Sequence, residues 1–131
     1  MSMCIDPTMF GPIYWSVIHI SCLTAGKELS DEKYQQMSQF VASLPGILPC
    51  LDCQEHLAQN LKTLPFDRSD PFKWSVNLHN LVNTHLGKPL IDYETALLFW
   101  ESKCLKKTKK INYIYLLILL GILVVFGMVF R

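Results

Sequence analysis

Cys50 and Cys53 are the residues of this chain best placed by type and spacing to do chemistry. Only Leu51 and Asp52 separate them, and a three-residue step on a helix puts both sulfurs on one face, close enough to bridge with little backbone movement. Pro49 suits a first helical turn. Cys50 then sits where unpaired N–H groups and the helix dipole favour an anion and lower a thiol pKa. This predicts unequal partners: Cys50 is the exposed sulfur that attacks and is attacked, and Cys53, one turn inward, faces whatever accepts the electrons. A Cys-x-x-Cys pair also suits zinc. His79 and His85 stand six residues apart, but 25 residues lie between Cys53 and His79, well beyond the usual finger spacing. Zinc therefore stays as the weaker alternative, in the form of a tail-anchored zinc-binding adaptor without enzyme activity. The five cysteines, Cys4, Cys22, Cys50, Cys53 and Cys104, are an odd and uneven set, unlike the framework of a secreted disulfide scaffold.

The elements that must carry this pair read as helices punctuated by proline and glycine. Trp15, Ile18, His19, Cys22 and Leu23 recur at three- and four-residue steps, which predicts a first helix from residue 12 to about 25, stopped by Gly26. Tyr34, Met37, Val41 and Leu44 give a second helix its core stripe, after a degraded capping box at Ser30 and before Pro45-Gly46. The third helix opens at Leu48-Pro49-Cys50 and runs to about Thr63. Residues 65–71 form a loop with two prolines. A fourth helix spans residues 72–86, with Val76, His79, Val82 and Asn83 on one side, and Asp92 caps a fifth that carries Ala96, Phe99 and Trp100. The expectation is an all-α fold: a four-helix bundle with a short fifth helix over residues 1–105.

Beyond this domain the chain changes character. Residues 111–130 carry no charge and only Asn112 as a strongly polar side chain, which matches the length of a transmembrane helix. Lys103, Lys106, Lys107, Lys109 and Lys110 precede this run and only Arg131 follows it. The positive-inside rule then places the N-terminal domain in the cytosol, tail-anchored through a basic linker at residues 106–110. The first ten residues show neither a signal-peptide nor a transit-peptide pattern. In a reducing cytosol structural disulfides are not expected, so the Cys-x-x-Cys pair is a redox or metal candidate. A formal net charge of +1, with the basic excess beside the membrane, disfavours nucleic acid as a partner.

A dithiol must pass two electrons on, and no side chain accepts them, so a thiol-oxidising enzyme needs a cofactor. The aromatic and amide-bearing stretches, residues 11–19, 74–89 and 99–100, are the candidates to hold one. Taken singly, Trp15, Val82 and Trp100 are ordinary core residues and His19 a satisfied buried histidine. Together, Gly-Pro-x-x-Trp-x-x-x-His from Gly11, Pro-Cys-x-x-Cys-x-x-His from Pro49, and His-Asn-x-Val-Asn-x-x-Leu-Gly-Lys-Pro from His79 resemble the Erv/ALR family of FAD-dependent sulfhydryl oxidases, and its compact viral members most. The match spans about residues 10–100.

That resemblance implies that Gly11, Trp15 and His19 line a flavin from the first helix, with the Cys50–Cys53 disulfide beside its ring and His56 following on the same face. It implies FAD contacts from His79, Asn80, Val82, Asn83 and Lys88, and a lid over the adenine end from Phe99 and Trp100. The chemistry suits these roles, since flat side chains stack on flat rings, amides read heteroatom edges and a lysine suits a pyrophosphate. Many family members carry a structural disulfide at the positions occupied here by Val76 and Tyr93. Its absence leaves the helix ends to packing or to dimerisation, and a homodimer is expected. There is no second Cys-x-x-Cys for an electron relay, so Cys4 and Cys104 are single shuttle candidates, and Cys22 reads as a small buried hydrophobe. The implied activity is disulfide formation in protein thiols, or in a thioredoxin-like relay protein, with electrons passing to FAD and then to O2 to give H2O2. By analogy with the viral members, the setting is a virion or host internal membrane and the clients are virion membrane proteins.

Overall fold

A computed structural model of the protein describes residues 5–105. Cys4, the basic linker and the apolar run at 111–130 lie outside the described residues, and among those described no helix is long and apolar enough to cross a membrane. The domain is all-helical, with α1 Pro7–Ala25, α2 Asp31–Ile47, α3 Leu51–Thr63, α4 Pro71–His85 and α5 Tyr93–Cys104.

Each helix starts on a side-chain cap that the sequence supplies. Asp6 accepts from the Thr8 N–H, Ser30 from Lys33, Cys50 from Cys53, Asp70 from Lys73 and Asp92 from Thr95, each satisfying one of the donors a helix N-terminus leaves free. α4 is displaced by one residue at each end from the expected 72–86, and three other boundaries differ for a physical reason. α1 begins at Pro7 rather than at Pro12, because Asp6-Pro7 is itself an N-cap followed by an N1 proline, and Pro12 is carried inside the helix. α2 continues through Pro45 to Ile47; a proline that near the end removes a single ladder bond. α3 begins at Leu51, not at Leu48, so Pro49 precedes the helix and Cys50, with extended backbone at φ −132° and ψ 118°, is its N-cap.

α4 is the centre of the fold, packing against α1, α3 and α5, while α2 lies against α3 and α5 against α1. This explains why its buried residues, Pro71, Phe72, Trp74, Ser75, Val76, Leu78 and Asn83, follow no single stripe. A helix covered by three neighbours is apolar on most of its circumference. One core cluster joins Ile18, Cys22, Leu29, Met37, Val41, Leu44, Leu57, Trp74 and Leu78. A second joins Phe72, Val76 and Ala96, with Leu23, Ile91, Tyr93, Leu97 and Trp100 packed on it. Val76 and Tyr93, the positions at which the resemblance implies a disulfide in other members, are thus held by apolar contact in one cluster.

The links between helices are fixed at two points. Glu28 and Leu29 donate to the carbonyls of Ser69 and Arg68, and the Arg68 guanidinium donates back to the Leu29 carbonyl while pairing with Asp31 at 2.9 Å. At the other end α4 closes on a Schellman motif: Lys88 N–H to Asn83 O at 2.8 Å and Gly87 N–H to Thr84 O at 3.2 Å. Gly87 adopts φ +64°, the left-handed region in which glycine avoids the Cβ penalty.

Candidate active site

The sulfurs of Cys50 and Cys53 form a disulfide, with the Cα atoms 5.1 Å apart. Its position follows from the cap: Cys50 Sγ accepts the Cys53 N–H at 3.3 Å, so the sulfur itself ends the helix. Both residues are half-buried, and burial does not distinguish them. Their difference is electrostatic. Cys50 Sγ receives the first-turn N–H and the positive end of the helix, the placement that stabilises a thiolate when the bond opens. Gln54 Nε2 donates to the Leu48 carbonyl at 2.7 Å, which ties the Pro49-Cys50 approach to the helix it feeds.

The second part of the site lies where α1, α4 and α5 meet. Trp15 stacks on His79 with ring centroids 3.9 Å apart and planes 6° from parallel. His19 lies 5.2 Å from His79 and 5.4 Å from Trp100, and Phe99 meets Trp100 edge-on at 5.1 Å. The buried His19 ring is held at both nitrogens, Nδ1 against Ser75 Oγ at 2.9 Å and Nε2 against His79 Nδ1 at 3.0 Å. Burial pushes both histidines down to about 4, with His79 adding to the effect on His19 and the Lys88 charge adding to that on His79. The two rings are neutral at physiological pH. Cys22, fully buried beside Ser75, is pushed up to about 12 by desolvation, so it stays a thiol and takes no part in exchange.

The structure therefore gathers Trp15, His19, His79 and Trp100 into one layer of flat rings, with Phe99 at its edge. Asn80 and Asn83 are also engaged within the protein. Asn80 donates to the Ile91 carbonyl at 2.9 Å and accepts its N–H at 2.8 Å, and Asn83 donates to the Pro89 carbonyl at 3.1 Å. Both amides pin the segment after α4, which sets the start of α5 and with it Trp100. Lys88 is exposed, with its backbone fixed by the Schellman motif, and Val82 is half-buried. A Cβ added at Gly11 would meet nothing within 4 Å, so the space over α1 there is open. His56 stands apart from the ring layer: it is exposed and its ring lies 3.9 Å from that of His85. Ser75 escaped the sequence reading, because a small polar residue among apolar ones carries no periodic signal. Cys104 is half-buried at the end of α5.

These residues fit a flavin dinucleotide by the chemistry of the set: flat aromatic faces, open space at Gly11, an exposed ammonium at Lys88, and a disulfide at the start of α3, which packs against the same α4. Among the described residues no three His, Cys, Asp or Glu side chains gather as a metal site.

Comparison with known proteins agrees with this assembly. The chain is 33% identical over 99 residues to a protein of Invertebrate iridescent virus 3 named as an FAD-linked sulfhydryl oxidase, covering 72% of this chain and 67% of that one. It is 29% identical over 101 residues to the FAD-linked sulfhydryl oxidase of African swine fever virus, covering 74% and 84%. Its fold superposes on the FAD binding domain of Erv1 from Saccharomyces cerevisiae with a TM-score of 0.66 at 23% identity, over 76% of this chain and 94% of that one. The sequence pattern of the Erv1 / Alr family matches residues 12–104, from the helix that carries Trp15 and His19 to the last residue of the helix that carries Trp100, and the chain belongs to that family.

Proposed function

We propose that the chain is an FAD-dependent sulfhydryl oxidase that introduces disulfide bonds into protein thiols. The observation that carries this reading is the Cys50–Cys53 disulfide at the N-terminus of α3, on a helix packed against the one that carries His79. A client thiolate attacks Cys50 Sγ; the Cys50–Cys53 bond breaks and Cys53 leaves as the thiolate. A second client thiolate attacks the client sulfur of the mixed disulfide, and the client departs with its own disulfide. Cys50 is released as a thiolate that accepts the Cys53 N–H, which makes it the better leaving group. Two electrons now rest on the dithiol. FAD, when bound, would supply the two-electron acceptor for Cys53, with O2 as the final oxidant and H2O2 as its product. Trp15, His19, His79 and Trp100 would hold the flat parts of the cofactor, Lys88 its pyrophosphate, and Gly11, Val82 and Phe99 its margins. Asn80 and Asn83 would act through the segment they pin, and His56 would serve from the face of α3.

The same proposal includes a homodimer. Met9, Ile13, Val17 and Ile20 are 73%, 62%, 48% and 36% exposed, and steps of three and four residues line them along one face of α1. It also includes a cytosolic catalytic domain tail-anchored by residues 111–130, on the evidence of the lysines before that run, with a virion or host internal membrane as the site and protein thiols or a thioredoxin-like relay as clients. By analogy with relatives of viral origin, the proposal counts virion membrane proteins among those clients.

The deciding experiment is the absorption spectrum of the purified protein, before and after dithiol is added without oxygen. A yellow protein that bleaches, then consumes O2 on aeration, is the expected outcome; a colourless protein with stoichiometric zinc would end the oxidase reading. A glycosylation acceptor fused after Arg131 should be modified in the lumen, and an unmodified tail would remove the anchor.

A further inference from the structure

Ser75 is fully buried, and its hydroxyl has one proton to give. Its Oγ lies 2.7 Å from the Phe72 carbonyl and 2.9 Å from His19 Nδ1. A carbonyl cannot donate, and two oxygens at 2.7 Å with no proton between them repel, so the serine proton goes to Phe72. His19 must then carry its hydrogen on Nδ1 and donate it to Ser75. A neutral imidazole has one N–H, which leaves His19 Nε2 as a lone pair. His79 Nδ1, 3.0 Å away, must donate to it. A neutral His79 is left with a bare Nε2, for which no partner stands among the described residues. Each member of the chain has one orientation, and all are set by the serine.

We infer that Ser75 is a positioning residue that fixes the polarity of the His19–His79 pair, so that His79 offers Nε2 as a hydrogen-bond acceptor to a ligand group that donates, an N–H or an O–H. The tautomers follow from this chain's own geometry; their use in holding the hydroxyl or amino groups of FAD rests on the function proposed above. The low pKa values of both rings keep the pair neutral and the chain unidirectional at physiological pH. The Cys22 thiol also hydrogen-bonds Ser75; with the serine proton given to the Phe72 carbonyl it meets the second lone pair of the hydroxyl oxygen and leaves the order unchanged, and no other hydrogen bond of the pair distinguishes its two directions. Without the serine, His19 keeps a buried nitrogen that is better left as a bare lone pair than as an unpaired donor. The pair would then reverse, with His19 donating from Nε2 and His79 turned from acceptor to donor at its outer nitrogen.

The test is long-range proton–nitrogen NMR of histidine-labelled full-length protein at pH 7.5, which reads the tautomer of each ring, combined with FAD titration of the apoprotein. The natural protein should show His19 and His79 both as Nδ1–H forms. Ser75→Ala should convert both to Nε2–H and raise the Kd for FAD by about tenfold, the loss of one well-placed hydrogen bond. A natural protein with His79 as Nε2–H overturns the inference without any variant, as does a Ser75→Ala protein in which both tautomers persist. Failure of the natural protein to bind FAD would sink the oxidase reading instead, and would leave the tautomer result standing.

Discussion

The disulfide at the tip of α3 and the ring layer between α1, α4 and α5 are built from opposite kinds of contact. Cys50 and Cys53 are three residues apart and share one helix cap, so the redox pair needs only a local turn. His19 meets Ser75 and His79 across 56 and 60 residues, so the ring layer exists only when three helices have docked. The first region is half-buried and open to exchange; the second is buried enough to keep two histidines neutral. On the proposed function, electron entry at the first region and cofactor holding at the second can therefore be perturbed separately, although both rest on α4.

Removing one sulfur has the largest expected effect. Cys53→Ser should lower dithiol-driven O2 consumption by at least about a thousandfold while FAD affinity stays unchanged, as expected when a covalent intermediate is lost. Cys50→Ser should keep a long-wavelength absorbance from the surviving Cys53 thiolate against the bound flavin. If instead that band appears only in Cys53→Ser, the two sulfurs have exchanged roles.

Acid should strike the ring layer first. Burial depresses His19 and His79 from the ordinary 6.5 to about 4, so the unfolded chain takes up these protons more readily than the folded one. The stability from the neutral rings is fully present above about 6.5 and is lost as pH falls toward 4. For His19, 2% exposed, the loss is on the order of 3 kcal/mol. Denaturant titrations at pH 7 and pH 4.5 measure it. His19→Gln should flatten the dependence, and an unchanged slope in that variant would show that the histidine does not carry it.

Asn80→Ala should cost about 2 kcal/mol, because it removes two hydrogen bonds and leaves both Ile91 backbone groups unpaired. FAD retention should weaken with it, as α5 loses its anchor, while the rate of thiol exchange at the disulfide stays unchanged. A matched loss of both would merge the two regions into one unit. Gly87→Ala is the mildest: the Cβ has room but φ is +64°, and about 1 kcal/mol of strain should appear in the melting curve.

By itself the sequence determined the helices, their caps at Ser30 and Asp92, the core stripe of α2 and the Cys50–Cys53 pair, because capping, periodicity and a three-residue spacing are local properties that the chain writes in order. It misplaced the starts of α1 and α3 by reading Pro12 and Pro49 as helix openers, where Asp6 and Cys50 were the residues able to accept a first-turn N–H. Only the tertiary structure decided that Asn80 and Asn83 brace the segment leading to α5, that His56 faces His85 instead of the ring layer, and that Ser75 stands behind His19. His19–Ser75 and His56–His85 join residues far apart in the chain, and the Asn80 and Asn83 bonds reach across a turn to backbone groups that carry no side-chain signal, so none of these contacts is specified by periodicity or capping. The same docking sets the half-buried disulfide at the start of α3 and the buried His19 on α1 against one central partner, α4, which itself carries His79.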